Sequence, residues 1–403
     1  MLGVLSAVGP VSTDMYLPAF PAIEAALGGR PGTAQITLAT WFLGLAVGQI
    51  TQGTLSDRFG RRRPLIVGTV IYTVASAGCA LSPDLLTLSV MRFVAAFGGS
   101  ASMVIPRAIV RDLSEGYASA KLMSRLILVA GAVPVLAPTL GGLVLGFADW
   151  HAIFWIGSAY GVACCCMVWR FLPDTLPPER RTSLDPARTL TRYAGIIVER
   201  SFITHTLLGG FAMFGMFAYL GGSPDVFILL IHLPPPLYGT LFGFNAVGYI
   251  AGSQISPRLL PRFGAGRVVR VAVRVFLAAM IVLAVVALAH PRPWWLVVAP
   301  LSVGFASVGF IMPNATVGAL ARHAQHAGSA SALMGTLQFC LGAVSGIAIG
   351  LLSNGSVVPM ASLLLIGAVG ATVAEALRPR IALAPSMTRA EGEQPETNRT
   401  RLA

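Results

Sequence analysis

Charge is scarce in this sequence. Only 11% of its 403 residues are Asp, Glu, Lys or Arg, where soluble domains carry about 25%, and that excludes an ordinary soluble fold. Lysine is almost missing, with Lys121 the one example. A phosphate-binding G-x-x-x-x-G-K-[ST] loop needs a glycine before its lysine, and Ala120 stands there instead. ATP-driven chemistry through such a loop is therefore excluded on this chain. The patterns H-E-x-x-H and G-x-S-x-G are absent too, and no acid–base constellation argues for an enzyme. Cysteines are few: Cys79, Cys164, Cys165, Cys166 and Cys340, with no C-x-x-C pair. Three adjacent cysteines suit neither a disulfide nor a zinc site, so these are small buried hydrophobes. A cleavable signal peptide is not expected, because the first apolar stretch runs past Pro18 without a small-residue cleavage site.

Apolar residues are what the chain has in quantity, at 55%. They fall into twelve runs near the roughly 20-residue length that a bilayer requires. The runs lie near 1–20, 36–55, 65–81, 85–110, 126–147 and 153–172, then 202–222, 237–255, 268–289, 294–320, 330–352 and 357–377. The expected fold is an all-α polytopic membrane protein with two six-helix halves, over 1–172 and 201–377. Between them, 173–200 is polar, basic and broken by prolines, and reads as a cytoplasmic linker. The polar tail, 378–403, is expected to be disordered. The net charge of +12 sits in alternate loops and the tail, which is the positive-inside distribution and not a nucleic-acid stripe. Both termini are therefore expected in the cytoplasm.

Between the second and third runs the chain reads Gly53-Thr-Leu-Ser-Asp-Arg-Phe-Gly-Arg-Arg-Arg63. Positive-inside bias accounts for the arginines but not for Gly53, Asp57 and Gly60. The pattern G-x-L-x-D-R-x-G-R-R closely resembles the signature loop between helices two and three of the major facilitator superfamily. That resemblance implies a gating role for Gly53, Asp57, Arg58, Gly60, Arg61 and Arg62, with Arg111 and Asp112 at the end of span four as neighbours. Asp57 is expected to control the conformational switch, holding helix ends together in the outward-facing state. A partial repeat follows span eight, where Arg262-Phe-Gly264 is kept and the acid is lost. This supports two related halves and favours the first loop as the gate.

Ionisable residues inside spans cost about 2.5–3.5 kcal/mol on insertion scales and are functional candidates by default. Asp14 on span one lies about 9 Å from that span's outer end, and Arg92 on span four about 10 Å from its own. Opposite charges at matching depth can meet across the bundle or sense each other through water. Ser12-Thr-Asp-Met-Tyr-Leu-Pro-Ala-Phe-Pro21 resembles the first-helix signature of the bicyclomycin-resistance (Bcr/CflA) branch of drug:proton antiporters. Arg107-Ala-Ile-Val-Arg-Asp112, Pro173-Asp-Thr-Leu-Pro-Pro-Glu-Arg-Arg181 and Pro313-Asn-Ala-Thr316 are similar to other parts of that branch. Pro134-Val-Leu-Ala-Pro-Thr-Leu-Gly-Gly142 resembles its helix-five antiporter motif. Physically, Pro134 and Pro138 bend a helix, and Gly141 and Gly142 admit a close neighbour. One departure stands out: the helix-four motif usually reads R-F-x-Q, and Ala95 occupies the glutamine position.

The resemblance implies a proton-driven multidrug exporter of the bacterial inner membrane, acting on hydrophobic or cationic toxic compounds such as bicyclomycin- or chloramphenicol-like antibiotics. Asp14 and Arg92 would couple substrate to proton. Tyr16, Asn245, Asn314 and Gln338 are candidates for the substrate cavity, although the three amides serve equally well as interhelical hydrogen bonds. Small-molecule drugs, protons and the lipid bilayer are the expected partners, for a monomer with no cofactor, metal or nucleic acid. A transporter of one metabolite on the same fold is the nearest rival reading, since specificity lies in pocket shape. A sensor or lipid-acting enzyme is the other.

Overall fold

The computed structural model describes residues 1–28, 32–113, 122, 126, 133–181, 186–289, 293–323 and 327–379. The polar tail beyond 379 lies outside them. Among the described residues every regular element is a helix. In the first half these are α1 (Leu2–Ser6), α2 (Val8–Asp14), α3 (Phe20–Ala26), α4 (Thr33–Phe59), α5 (Arg62–Ala80), α6 (Leu85–Gly99), α7 (Ala101–Leu113) and α9 (His151–Phe171), with α8 (Val133–Val144) before α9. A linker helix, α10 (Pro186–Val198), leads to α11 (Arg200–Pro224), α12 (Pro235–Phe263), α13 (Ala265–Leu288), α14 (Trp295–Leu320), α15 (Ala327–Leu352) and α16 (Val358–Leu377). Nine helical segments among the described residues are long and apolar enough to span a membrane; α6 and α7 together supply one of them. The three remaining runs are the broken first span, the partly described fifth, and α12, whose far end carries Arg258 and Arg262.

Each half packs within itself, α4 and α5 on α6 and α9 in the first, α11 on α15 and α16 and α12 on α14 in the second. Across the halves the main seam is α4 against α15. A Cβ at Gly346 would sit 3.0 Å from the Ala39 Cβ, and one at Gly350 would sit 2.5 Å from the Gly32 carbonyl oxygen. Small residues thus let the two backbones approach where side chains would hold them apart.

Three elements differ from the sequence reading, each for a visible reason. The first span is no continuous helix: it breaks after Asp14, passes through a short 3-10 turn at Leu17–Ala19 and restarts at Phe20. Pro18 and Pro21 each lack the backbone N–H that would continue the helical hydrogen-bond ladder from the preceding turn. The seventh span does not stop near residue 222. It runs on through Pro224 into a wide π turn, Asp225–Leu230, carrying a carboxylate into the packed interior. The linker holds a helix, whose Ile196 is buried beside Phe202, Ala330 and Leu333 while Tyr193 packs on that cluster.

Candidate gating and coupling site

At the signature-loop end, Gly60 terminates α4 with φ 87°, a left-handed conformation that suits glycine. Space demands glycine too, because a Cβ there would lie 1.9 Å from Asp174 Oδ2. Asp174, just after α9, accepts the Arg61 backbone N–H at 2.8 Å and a bond from Arg181 Nη2 at 3.0 Å. The Arg61 side chain is the hub. It donates from Nε to Asp112 Oδ2 at 2.7 Å, from Nη2 to Asp112 Oδ1 at 3.3 Å and from Nη1 to Ser56 Oγ at 3.0 Å. Its Nη1 also pairs with Asp57. Burial works against the guanidinium charge, but bonds to Asp112 and Asp57 outweigh it and hold the proton more tightly than usual.

The candidate gating residues therefore divide. Asp57, Arg61 and Asp112 join in one network, while Arg62 donates to the Trp169 carbonyl at 2.6 Å and Arg58 lies over the Phe59 ring at 5.1 Å. Gly53 has only an ordinary contact, 3.7 Å to Val104. The Arg111 side chain lies outside the described residues. Asp174 was missed as a site residue because its partner Arg61 is 113 residues away, and Arg181 because it joins the network only through Asp174.

Toward the opposite end, Asp14 and Arg92 are both buried, at 6% and 1% exposure. They make no direct ion pair with each other in this conformation. Arg92 donates from Nη1 to the Ser12 carbonyl at 2.9 Å. Its guanidinium carbon lies 4.4 Å from the Tyr16 ring centre and 4.3 Å from that of Trp41. The Asp14 carboxyl has no hydrogen-bond or ion-pair partner among the described residues. It ends α2 where the chain breaks, and Tyr238 of α12 lies within its electrostatic reach. Tyr16, fully buried, shares a 2.5 Å hydrogen bond with Thr37.

The helix-five motif closes over this break. A Cβ at Gly141 would meet the Met15 carbonyl oxygen at 2.1 Å, and one at Gly142 the Pro235 carbonyl oxygen at 2.6 Å. The partner helix reciprocates: a Cβ at Gly239 would lie 2.6 Å from Thr139 Cα, and one at Gly243 2.7 Å from the Val135 carbonyl oxygen. Pro134 and Pro138 sit on the same stretch of α8. Thus α8 seals α2 and α12 together across the two halves. Beside it, Gln35 donates to the Gly221 carbonyl at 3.1 Å and to Asp225 Oδ2 at 3.0 Å, and Ser353 donates to that same oxygen at 2.9 Å. Glu24 accepts from the Gly32 and Ala34 N–H groups at 2.9 and 3.0 Å.

Residues 2–347 match the model of the Major Facilitator Superfamily. The chain belongs to that superfamily. A curated relative, the uncharacterized MFS-type transporter YdgK of Bacillus subtilis (strain 168), is 33% identical over 92% of this chain and 92% of its own. The bicyclomycin resistance protein homolog of Haemophilus influenzae (strain ATCC 51907 / DSM 11121 / KW20 / Rd) is 30% identical over 89% of this chain and 90% of its own. Among solved structures, a D-xylose-proton symporter superposes with TM-score 0.71 at 13% identity, covering 94% of this chain and 96% of its own. The protein is a multi-pass membrane transporter of small molecules, not an enzyme, and resembles the bicyclomycin-resistance branch.

Within the transporter, the three second-half amides take different places. Asn245 donates to the Tyr219 hydroxyl at 2.9 Å and accepts from Ser302 at 2.7 Å, and Asn314 donates to Ser256 Oγ at 2.8 Å. Both are occupied as interhelical ties. Gln338 differs: it is buried and its Nε2 has no partner. Between the halves, Phe42 stacks on Phe217 at 3.9 Å and on Phe339 at 6.1 Å, an apolar aromatic cluster packed in the seam.

Proposed function

We propose that this transporter exports hydrophobic or cationic drugs in exchange for protons, with Asp14 as the proton-carrying residue. The observation that carries this reading is the isolated Asp14 carboxyl, buried at a helix break directly under the α8 seal. Burying an ionised carboxylate without a partner costs several kcal/mol, so this conformation suits the protonated acid. When the seal parts, water or a cationic substrate can reach the carboxyl and release the proton. Substrate and proton then compete for one site, which is what obligatory exchange requires. The aromatic cluster of Phe42, Phe217 and Phe339 supports binding by apolar burial, which discriminates weakly between drugs.

Two further readings belong with this. The signature loop lies in the cytoplasm with both termini, so the sealed end faces outward across the bacterial inner membrane. The chain works as a monomer, each copy holding its own seam. The direct test is growth in a bacterial host stripped of its own pumps. Cells expressing the chain should tolerate bicyclomycin- or chloramphenicol-like antibiotics at concentrations several-fold higher than cells with an equally expressed Asp14→Asn variant. Equal tolerance of wild-type and Asp14→Asn cells across a broad cationic and neutral panel would refute Asp14 as the proton carrier, and no gain over cells lacking the chain would refute drug export.

A further inference from the structure

Arg92 presents a problem that the coupling scheme leaves open. Arginine keeps its charge in proteins, and this one is 1% exposed. The Tyr16 and Trp41 rings cap its faces, and Nη1 is used by the Ser12 carbonyl. The other edge is empty: Nε and Nη2 are both buried without a hydrogen-bond partner. Those two N–H groups point the same way and form the fork that normally grips an anion. The titratable groups that sense Arg92 are Tyr16, Tyr72 and Cys79, all ordinarily neutral, so none of these balances its charge.

Beside the guanidinium lies a cavity of about 20 Å³, room for one water-sized group. Its lining includes Ser12, Tyr72, Ser76, Trp41 and Ala95. The Ser12 and Tyr72 hydroxyls are joined at 2.5 Å and give the cavity a polar wall. Ala95 follows Arg92 by almost one helical turn and is itself buried. A glutamine there would reach into the cavity and offer Arg92 an amide oxygen; alanine leaves both the space and the fork open. A water could fill the space but would leave the charge unbalanced.

We propose that the Arg92 cavity binds one small monovalent anion of chloride size. The anion accepts from Nε and Nη2 and rests against the Ser12–Tyr72 hydroxyl wall, within reach of the Trp41 ring. The site is separate from Asp14 and does not depend on which drug is carried or in which direction.

Bromide, a heavy-atom quencher, reads the site through Trp41. The full chain, purified at constant ionic strength with gluconate as the large balancing anion, is titrated with bromide, and Trp41→Phe supplies the background. The Trp41 component should quench saturably, chloride should compete, and benzoate, too large for the cavity, should not. Arg92→Gln should abolish saturation. Ala95→Gln, which leaves the charge in place, should weaken bromide binding about tenfold, the loss of one charge-assisted hydrogen bond. If Arg92→Gln misfolds, chloride competition on the wild type and the Ala95→Gln shift decide the matter. Linear quenching, insensitivity to chloride, or unchanged binding in Ala95→Gln would overturn the site, and competition by benzoate would overturn its size.

Discussion

Two buried arginines set the residue-scale picture, and they are opposites. Arg61 is surrounded by acceptors, two carboxylates and a hydroxyl, whereas Arg92 has one carbonyl and three rings. Within the Arg61 network the acids are unequal: the Asp57 side chain is 54% exposed and that of Asp112 is 17% exposed. Removing Asp112 takes two charge-assisted hydrogen bonds from a buried guanidinium, which should cost about 2–3 kcal/mol. Asp57→Ala should cost about 1 kcal/mol or less, as for exposed pairs. Thermal unfolding of the two purified variants checks that order, and equal losses would contradict it. The sequence pattern pointed to Asp57 because an acid among arginines is conspicuous. It could not point to Arg61 as the hub, since three neighbouring arginines look alike until the fold aims one at Asp112. Asp174 was invisible because only the fold brings it to the Arg61 backbone, 113 residues away along the chain.

At the scale of elements, helix ends decide more than helix interiors. Glu199 starts α11 by accepting from the Ser201 and Phe202 N–H groups at 3.1 and 2.8 Å. Burial pushes its carboxyl up, but those two N–H groups, with Arg322 and His323 nearby, outweigh it and hold it below the usual carboxylate range. A depressed folded value means stability that is present above the unfolded pKa of about 4.3 and is lost as pH falls through the folded value. Glu199→Ala should therefore lower stability by about 1 kcal/mol at neutral pH, with the deficit shrinking below pH of about 4. A deficit independent of pH would contradict the charged cap. The long apolar runs were legible because twenty-residue hydrophobic stretches have few alternatives in a bilayer. The break at Pro18 and the π turn at Asp225 were not, because hydropathy measures composition and is blind to where a helix changes its winding. Those two irregular places hold the carboxyls Asp14 and Asp225.

For the whole molecule, the claim is that the two halves are sealed at the end away from the signature loop. Glycine at 142 permits that seal, since a larger side chain would meet the Pro235 backbone. Gly142→Val should shift the population toward conformations open at that end. A single cysteine at Ser353, in a background with the five native cysteines replaced by serine, should then react severalfold faster with a membrane-impermeant thiol reagent. Unchanged reactivity would mean that α8 does not hold the seal. The helix-five motif suggested close packing from its glycines alone, but only the fold identifies α2 and α12 as the surfaces packed.

The central claim is that Asp14 carries the proton which drug displaces. Everted vesicles with an imposed proton gradient test it most directly, comparing the wild type with Asp14→Asn, which keeps size and hydrogen bonding while removing the titration. The variant should reach the membrane in normal amounts and bind neutral drugs, yet drug addition should no longer dissipate the gradient. Proton efflux at the wild-type rate from a well-expressed Asp14→Asn variant would contradict the account.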